Sequence, residues 1–434
     1  MLRYKDFGKM HLVVWEDGKH EFVNKKRLDS ILADPGMRKK EIAKNLSEKY
    51  SFLSQGTSLH IVVVTLRCNQ KCVYCHASSR PMNAKGMDMK IKTATKTVDF
   101  IFQSPSSKIS IEFQGGEPLA NFDVVKHIVN YSRKKMGKEV LMTLVTNLSL
   151  MDKWKLDFLI KNSIGICTSL DGPRELHEKN RPGGYDNTVK WITAIQNEYR
   201  KRGVEDRKVN ALPTITRASL SYPHEIVDEY IRLGLSGIHL RFLNKLGYGS
   251  RTDIDYTPEE YVTFWKKAMD HIIDINLKGR YFEERLSTII LTKIFKKEPN
   301  YLDLRSPCGA AIGQLTYSHD GKVYSCDEGR MLGEDLFMLG KVEDGYRKII
   351  ERSCPIVAAS INDSHFCDLC VYKPYCGICP VCNYAEQGSL VAVVPETRHC
   401  RIYKACFDYI FTRLQDRKAR KVLLSWIDKD EPVL

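Results

Sequence analysis

The chain has 434 residues, 43% of them hydrophobic and 28% charged, with a formal charge of +14. That size suggests two or three domains of roughly 150 residues, and the composition excludes a disordered chain. No apolar run approaches the roughly 18 residues that cross a bilayer, and the N-terminus lacks the apolar stretch of a secretory signal, so no membrane partner and a cytoplasmic setting are expected.

In chain order, residues 1–58 read as an N-terminal appendage. Leu12–Trp15 and Glu21–Val23 flank a turn at Asp17-Gly18, a hairpin signature, and a polar helix is expected from about Met37 to Tyr50. From residue 59 to about 280 the texture becomes a βα alternation. Apolar runs at Leu59–Leu66, Ile109–Phe113, Val140–Thr146, Ile164–Leu170, Val209–Thr216 and Gly237–Leu243 predict buried strands. Ile91–Phe102, Val124–Lys135 and Tyr222–Leu233 predict amphipathic helices between them. Six such strands predict an α/β fold whose parallel sheet closes into a partial (β/α)6 barrel, with the active site at the C-terminal strand ends.

Helices near Tyr256–Leu277 and Glu283–Lys297 follow, the latter within a bridge over 281–304. A cysteine-rich segment spans 305–406, with short strands at Gly313–Tyr317 and Lys322–Tyr324. It is too irregular to be held by apolar burial alone, so metal cross-links are expected. A final helix over about Ile402–Ile427 opens the terminal region 407–434.

The positive charges are spread along the chain; the longest clusters are Arg38-Lys39-Lys40 and Arg133-Lys134-Lys135. No nucleic-acid motif accompanies them, so a solvated basic surface is expected and a nucleic-acid partner is not.

Fourteen cysteines in a chain without an export signal point to metal rather than disulfides. Three, Cys68, Cys72 and Cys75, share the loop after the first strand, where three thiolates converge on one centre. Spacing alone leaves open a zinc site completed by His76 and an iron–sulfur cluster with one open iron. Ten others lie between Cys308 and Cys406, while Cys167 within the fourth strand and Cys406 on the last helix read as core residues.

The placement of further motifs separates these readings. Cys68-Asn-Gln-Lys-Cys72-Val-Tyr74-Cys75, Gly115-Gly116-Glu117-Pro118, Thr146-Asn147 and Ser169-Leu-Asp171-Gly172-Pro173 with Arg181 beyond it stand at four successive strand ends. Together they resemble the radical S-adenosylmethionine (SAM) superfamily. The resemblance implies a [4Fe–4S] cluster on Cys68, Cys72 and Cys75. It assigns the methionine amine of SAM to the Gly115-Gly116-Glu117 loop. Tyr74 and Asn147 join the same site, Ser169 and Asp171 meet SAM's polar groups, and Arg181 meets its carboxylate.

Downstream, Cys308-(x12)-Gly321-(x4)-Cys326, then Cys367-x2-Cys370-x5-Cys376 with Cys379, Cys382 and Cys400, could on their own form a zinc ribbon. After such a barrel they resemble the SPASM domain, which binds two auxiliary [4Fe–4S] clusters. The pattern departs from the family where Pro380 replaces a cysteine, with Cys379 and Cys382 on either side. Carried over, Cys367, Cys370, Cys376 and Cys400 hold the outer cluster. Cys308, Cys326 and one or both of Cys379 and Cys382 hold the inner one, and Cys354 is a spare. Asp327 occupies the place of a general base in sulfatase-maturing relatives.

The resemblance implies reductive cleavage of SAM to a 5′-deoxyadenosyl radical, which takes hydrogen from a ribosomally made precursor peptide and leads to cross-linking or oxidation of a side chain. The cysteine segment looks most like the His-Xaa-Ser system maturases. A one-electron donor such as flavodoxin or ferredoxin is implied, and the N-terminal hairpin suits capture of a leader peptide. The alternative is an anaerobic sulfatase-type maturase that makes formylglycine from Cys or Ser. A rival of another class, a zinc or iron–sulfur nucleic-acid-binding protein, leaves the strand-end motifs unexplained.

Overall fold

A computed structural model describes residues 1–34, 36, 38–296, 304–364 and 366–427. The expected helix ends at Met37 and Lys297 lie outside the described residues. The chain forms two compact units, one of Met1–Gln55, Leu286–Gly309 and Val357–Leu434, the other of Gly56–Arg285 and Ala310–Ile356.

In the first unit, β1 (Leu2–Phe7), β2 (Met10–Trp15) and β3 (His20–Val23) form an antiparallel sheet in that order. The expected hairpin is β2–β3; β1 hides in the alternating Leu-Arg-Tyr-Lys-Asp-Phe, whose charges mask a strand pattern. Val13, Trp15 and Val23 pack on Leu28 and Ile31 of a helix at Lys25–Ala33. These residues are not a detachable appendage. The Lys49 ammonium donates to the Pro374 carbonyl at 2.6 Å and the Tyr375 hydroxyl to the Gly18 carbonyl at 2.7 Å. Phe7 and Phe22 meet Phe411, which stacks on Tyr372 at 5.8 Å. The expected final helix is two, Arg398–Arg413 and Arg417–Ser425, because Asp416 caps a new start by accepting from the Ala419 amide at 2.7 Å.

In the second unit, β4 (Leu59–Thr65), β5 (Lys108–Gly115), β6 (Glu139–Thr146), β7 (Ile164–Ser169) and β8 (Val209–Leu212) lie parallel and in sequence order. The fifth predicted strand breaks at Pro213, which has no amide hydrogen for a ladder, leaving β9 (Thr214–Ile215) as a separate piece. The sixth splits into β10 (Gly237–Ile238) and β11 (Arg241–Phe242), which pair with β12 (Glu283–Glu284) and β9 outside the main sheet. The sixth parallel strand comes from elsewhere. β13 (Gln314–Tyr317) lies parallel to β4, and β14 (Lys322–Tyr324) and β15 (Met338–Lys341) extend that edge antiparallel. The start of the cysteine-rich segment therefore builds part of the barrel sheet.

Alternation along the strands separates two faces. Ile109, Ile111 and Phe113 of β5, Met142 and Leu144 of β6, and Ile164 and Ile166 of β7 are buried. Glu112, Gln114, Thr143, Val145, Cys167 and Ser169 point to the opposite face and are only half-buried. A strand's period of two makes this an apolar face under the helices and a polar face on the lumen. Among the described residues no helix is long and apolar enough to cross a membrane.

Candidate functional site

The three-cysteine loop leaves the end of β4, its path held by backbone bonds. The Cys68 amide donates to Arg80, the Val73 amide to Asn180 and the Cys75 amide to Cys72, at 2.8, 3.0 and 3.2 Å. Arg67 braces the loop's return through Asp88, with Nε and Nη2 both at 2.8 Å from its carboxylate. Each sulfur has its own polar neighbour. Cys68 Sγ accepts from the Gln70 amide at 3.4 Å and from Asn147 Nδ2 at 3.7 Å. Cys72 Sγ accepts from Arg181 Nη1 at 3.4 Å, and the Cys75 thiol donates to Ser79 Oγ at 3.4 Å. Burial pushes the free Cys68 thiol up to about 12 and raises Cys72 against the pull of the Arg181 charge.

Beside this loop, β5 ends in Gly115 and Gly116, both required by close packing. Gly115 has φ +143°, and an added Cβ would lie 2.1 Å from the Thr65 carbonyl oxygen; at Gly116 it would lie 2.2 Å from that of Arg67. Glu117 is fully buried and its carboxylate is spoken for: it accepts from the Leu119 amide at 3.0 Å, Thr146 Oγ1 at 2.7 Å and the Asn147 amide at 2.8 Å. It ties the strand-two loop to the strand-three end, while Asn147 reaches back to Asn69 Oδ1 at 3.1 Å.

Asp171 is also fully buried. Its oxygens accept from the Tyr74 hydroxyl at 2.8 and 2.7 Å, the Thr214 amide at 3.0 Å and Arg181 Nε at 3.0 Å. Arg181 Nε also donates to the Tyr74 oxygen at 2.6 Å, and its guanidinium lies 5.0 Å from the Tyr74 ring centre. Asp171 thus serves to hold Tyr74 and Arg181, and Arg181 in turn reaches the Cys72 sulfur. Ser169 ends β7 on the lumen face. The His177 ring accepts from the Asp171 amide at 3.3 Å through Nδ1.

Residues 62–240, the stretch containing these strand ends, match the radical SAM superfamily. That stretch is a radical SAM domain. The chain is 28% identical over 378 residues to a cysteine-type anaerobic sulfatase-maturating enzyme of Clostridium perfringens, covering 82% of this chain and 97% of that one. The fold is similar to native anSMEcpe with bound AdoMet, with TM-score 0.70 and 22% identity over 84% of this chain and 100% of that chain. It is also similar to Streptococcus suis SuiB bound to S-adenosylmethionine, with TM-score 0.57 and 15% identity over 90% and 97% of the two chains.

The cofactors of a radical SAM enzyme are SAM and a [4Fe–4S] cluster, and the strand ends suit both. Three reduced thiols gather on one loop with N–H donors aimed at two of them, the chemistry of an iron–sulfur ligand set. Among the described residues no three His, Cys, Asp or Glu side chains close on a single-ion site; a multi-iron cube asks for wider spacing. Gly115 and Gly116 let backbone approach where any side chain would collide.

In the cysteine-rich segment, four thiols act on one another electrostatically. Burial raises the Cys376 thiol well above its ordinary value, with Cys370, Cys400 and Cys367 adding to it, and burial pushes Cys367 up to about 12, with Cys370 and Cys400 adding. Cys400 lies in the first turn of the helix capped by Thr397, its amide 3.3 Å from Thr397 Oγ1. Cys379 caps the helix Pro380–Gln387, its sulfur accepting from the Cys382 amide at 3.4 Å. The Cys308 amide donates to Ser360 Oγ at 2.9 Å. Cys308, Cys379 and Cys382 belong to the first unit, and Cys326 to the second. Cys354 is exposed and Cys406 is buried core.

Cys326 caps the short helix Asp327–Leu332, its sulfur accepting from the Gly329 amide at 3.3 Å. Asp327 is buried and accepts from Arg330 Nε at 2.8 Å. Sequence reasoning misplaced Cys167 and passed over Glu112. Cys167 is on the lumen face of β7 rather than in the apolar core, its thiol pushed up to about 12 by burial, with Glu112 adding to the shift. Glu112 sits inside the run Ile-Ser-Ile-Glu-Phe; one acid at the polar phase of an alternating strand was the available signal.

Proposed function

We propose that this chain is a radical SAM peptide maturase that takes hydrogen from a residue of a ribosomally made peptide and leads it to cross-linking or oxidation. The observation that supports the reading is the continuous chain from Asp171 through Arg181 to Cys72, a fixed guanidinium beside a thiol of the three-cysteine loop. When bound, the cluster and SAM supply a 5′-deoxyadenosyl radical that abstracts hydrogen from unactivated carbon.

Cys68, Cys72 and Cys75 are proposed to hold the cluster, and Asn147 and the Gln70 amide to steady the Cys68 sulfur. Arg181 is suited to a carboxylate, since its Nε is committed to Asp171 while the rest of its fork faces the cluster loop. Gly115 and Gly116 let the strand-two backbone meet the methionine amine. Cys367, Cys370, Cys376 and Cys400 are proposed to hold an auxiliary cluster, which would supply a one-electron acceptor. The outer strands of the β1–β3 sheet each pair on one side only, so a leader peptide could add there. A one-electron donor of the flavodoxin or ferredoxin class and a cytoplasmic setting, where fourteen free thiols stay reduced, complete the reading.

The second reading, oxidation of Cys or Ser to formylglycine, is favoured by the similarity to the sulfatase-maturating enzyme of Clostridium perfringens across 97% of its length. Asp327 is its candidate base.

The test is anaerobic reconstitution followed by iron analysis and assay of 5′-deoxyadenosine after reduction. Cys72→Ala should lose about four irons, one cluster's worth, and all SAM cleavage. Zinc in place of iron, or no deoxyadenosine from the wild type, would overturn the reading. A peptide product lighter by two hydrogens with an internal link supports cross-linking; an aldehyde that traps hydrazine supports formylglycine.

A further inference from the structure

The lumen face of the barrel carries an acid that the proposed chemistry does not use. Glu112 projects from the middle of β5, on the same face as Gln114 and two residues below Gln114 on that strand. Gln114 Nε2 donates to Glu112 Oε1 at 2.5 Å, and Thr143 Oγ1, from β6, donates to Oε2 at 3.3 Å. One neutral donor on each oxygen fixes the carboxylate's orientation and leaves each oxygen with acceptor capacity toward the lumen. Gly165 on β7 comes next to Thr143; an added Cβ there would lie 3.2 Å from Thr143 Cγ2. The floor beside Glu112 is therefore kept open by a residue without a side chain.

The charges that act on Glu112 include Asp327 and Arg241. Asp327 is paired with Arg330 at 2.8 Å, and Glu328 lies 3.6 Å from Arg241. His239 is neutral, its ring pushed down to about 3 by burial and the Arg241 charge, and the Cys167 thiol is neutral. Among the described residues Glu112 forms no ion pair, with Arg241 acting on it only at a distance. Asp327 and Arg241 each have an ion-pair partner of their own, and among the described residues Glu112 has none. Enclosed acids without a cation are costly, and such a group ordinarily finds a partner.

We propose that Glu112 is a specificity-determining residue that receives a positively charged side chain of the peptide, an ammonium, guanidinium or imidazolium. This rests on the peptide-maturase reading and narrows its substrate class. An entering cation gives Glu112 an ion-pair partner, donates to the acceptor positions that Gln114 and Thr143 leave open, and anchors the peptide so that a neighbouring carbon is presented at the strand ends above. Burial raises the Glu112 carboxyl above its ordinary range, and the Asp327 charge adds to that. A bound cation would reverse the shift.

The test uses the reconstituted holoenzyme with SAM, a reductant and blocked pentapeptides Gly-Ala-X-Ala-Gly, in which X is Lys, Arg, His, norleucine or Glu. The readout is the half-saturating peptide concentration for stimulation of 5′-deoxyadenosine release. Wild type should favour at least one basic X over norleucine by roughly tenfold, the size of one charge-assisted hydrogen bond. The isosteric Glu112→Gln should bring that ratio to near one while keeping its iron, and Glu112→Lys should turn the preference toward X = Glu. A flat response across X in the wild type, or an unchanged ratio in Glu112→Gln, overturns the assignment of Glu112 alone. Absence of deoxyadenosine from the wild type with or without peptide overturns the radical SAM reading beneath it.

Discussion

Arg181 and Cys72 are joined by a hydrogen bond, Nη1 to Sγ at 3.4 Å, although they lie 109 residues apart. The guanidinium is held in place from behind by Asp171 and Tyr74, both buried, so its position does not depend on a ligand. With Cys72 holding the cluster as proposed, a fixed cation beside its sulfur would stabilise the more negative, reduced state.

Arg181→Lys keeps the charge and loses the fork that spans Tyr74, Asp171 and Cys72. Its cluster should be harder to reduce by on the order of 50–100 mV, given about 60 mV per tenfold for one electron. SAM affinity should fall roughly tenfold or more with the lost bidentate geometry. Potentiometric titration followed by electron paramagnetic resonance checks the first, and equilibrium binding the second. An unchanged midpoint potential would separate Arg181 from the cluster.

Gly115→Ala should cost more than about 3 kcal/mol, because its Cβ would sit 2.1 Å from a backbone carbonyl oxygen at a φ that side chains avoid. Gly203→Ala has a positive φ but open space around it, and should cost only about 1 kcal/mol. Denaturant midpoints of the two variants give the comparison; equal losses would show that strain alone, rather than the close approach of β4 to β5, accounts for the effect.

The strand-end motifs were legible because each is compact in sequence and the βα rhythm sets their order in space. What ties them together was not. Asp171 binds Tyr74 across 97 residues and Thr214 across 43, so its burial depends on packing that no local pattern encodes. The edge strand β13 was recognised as a strand, but its partner, β4, lies some 250 residues earlier, a pairing that periodicity cannot assign. The break at Pro213 was readable from the residue itself. Residues 1–55 read as an appendage because hairpins are local, yet Tyr375 and Phe411 supply part of the surface on which they rest.

Asp327→Asn tests the candidate base. The neutral amide keeps an acceptor for Arg330 and loses the proton-accepting charge. SAM cleavage in the presence of peptide should continue, while finished product falls by roughly 10²-fold or more, the usual contribution of a general base. Deoxyadenosine and product are measured in the same reaction; equal losses of both would make Asp327 a structural partner of Arg330.

His60 gives the stability of the barrel a pH dependence. It is fully buried, shares a 2.8 Å hydrogen bond with the Tyr317 hydroxyl between β4 and β13, and is pushed down to about 3 by burial. A ring that titrates near 6.5 when unfolded and near 3 when folded takes up its proton in the unfolded state first. Its contribution is therefore intact above pH 6.5 and is lost progressively as the pH falls from 6.5 toward 3. Between pH 7 and 5 this amounts to about 2 kcal/mol from His60 alone. His60→Gln removes the titration, so the gap in unfolding free energy between wild type and variant should narrow by about that amount over this interval. Urea unfolding of both proteins at pH 7, 6 and 5 provides the measurement, and the difference cancels acid effects on the clusters common to the two. A gap that stays constant with pH would mean a ring reached by water that titrates alike in the folded and unfolded states.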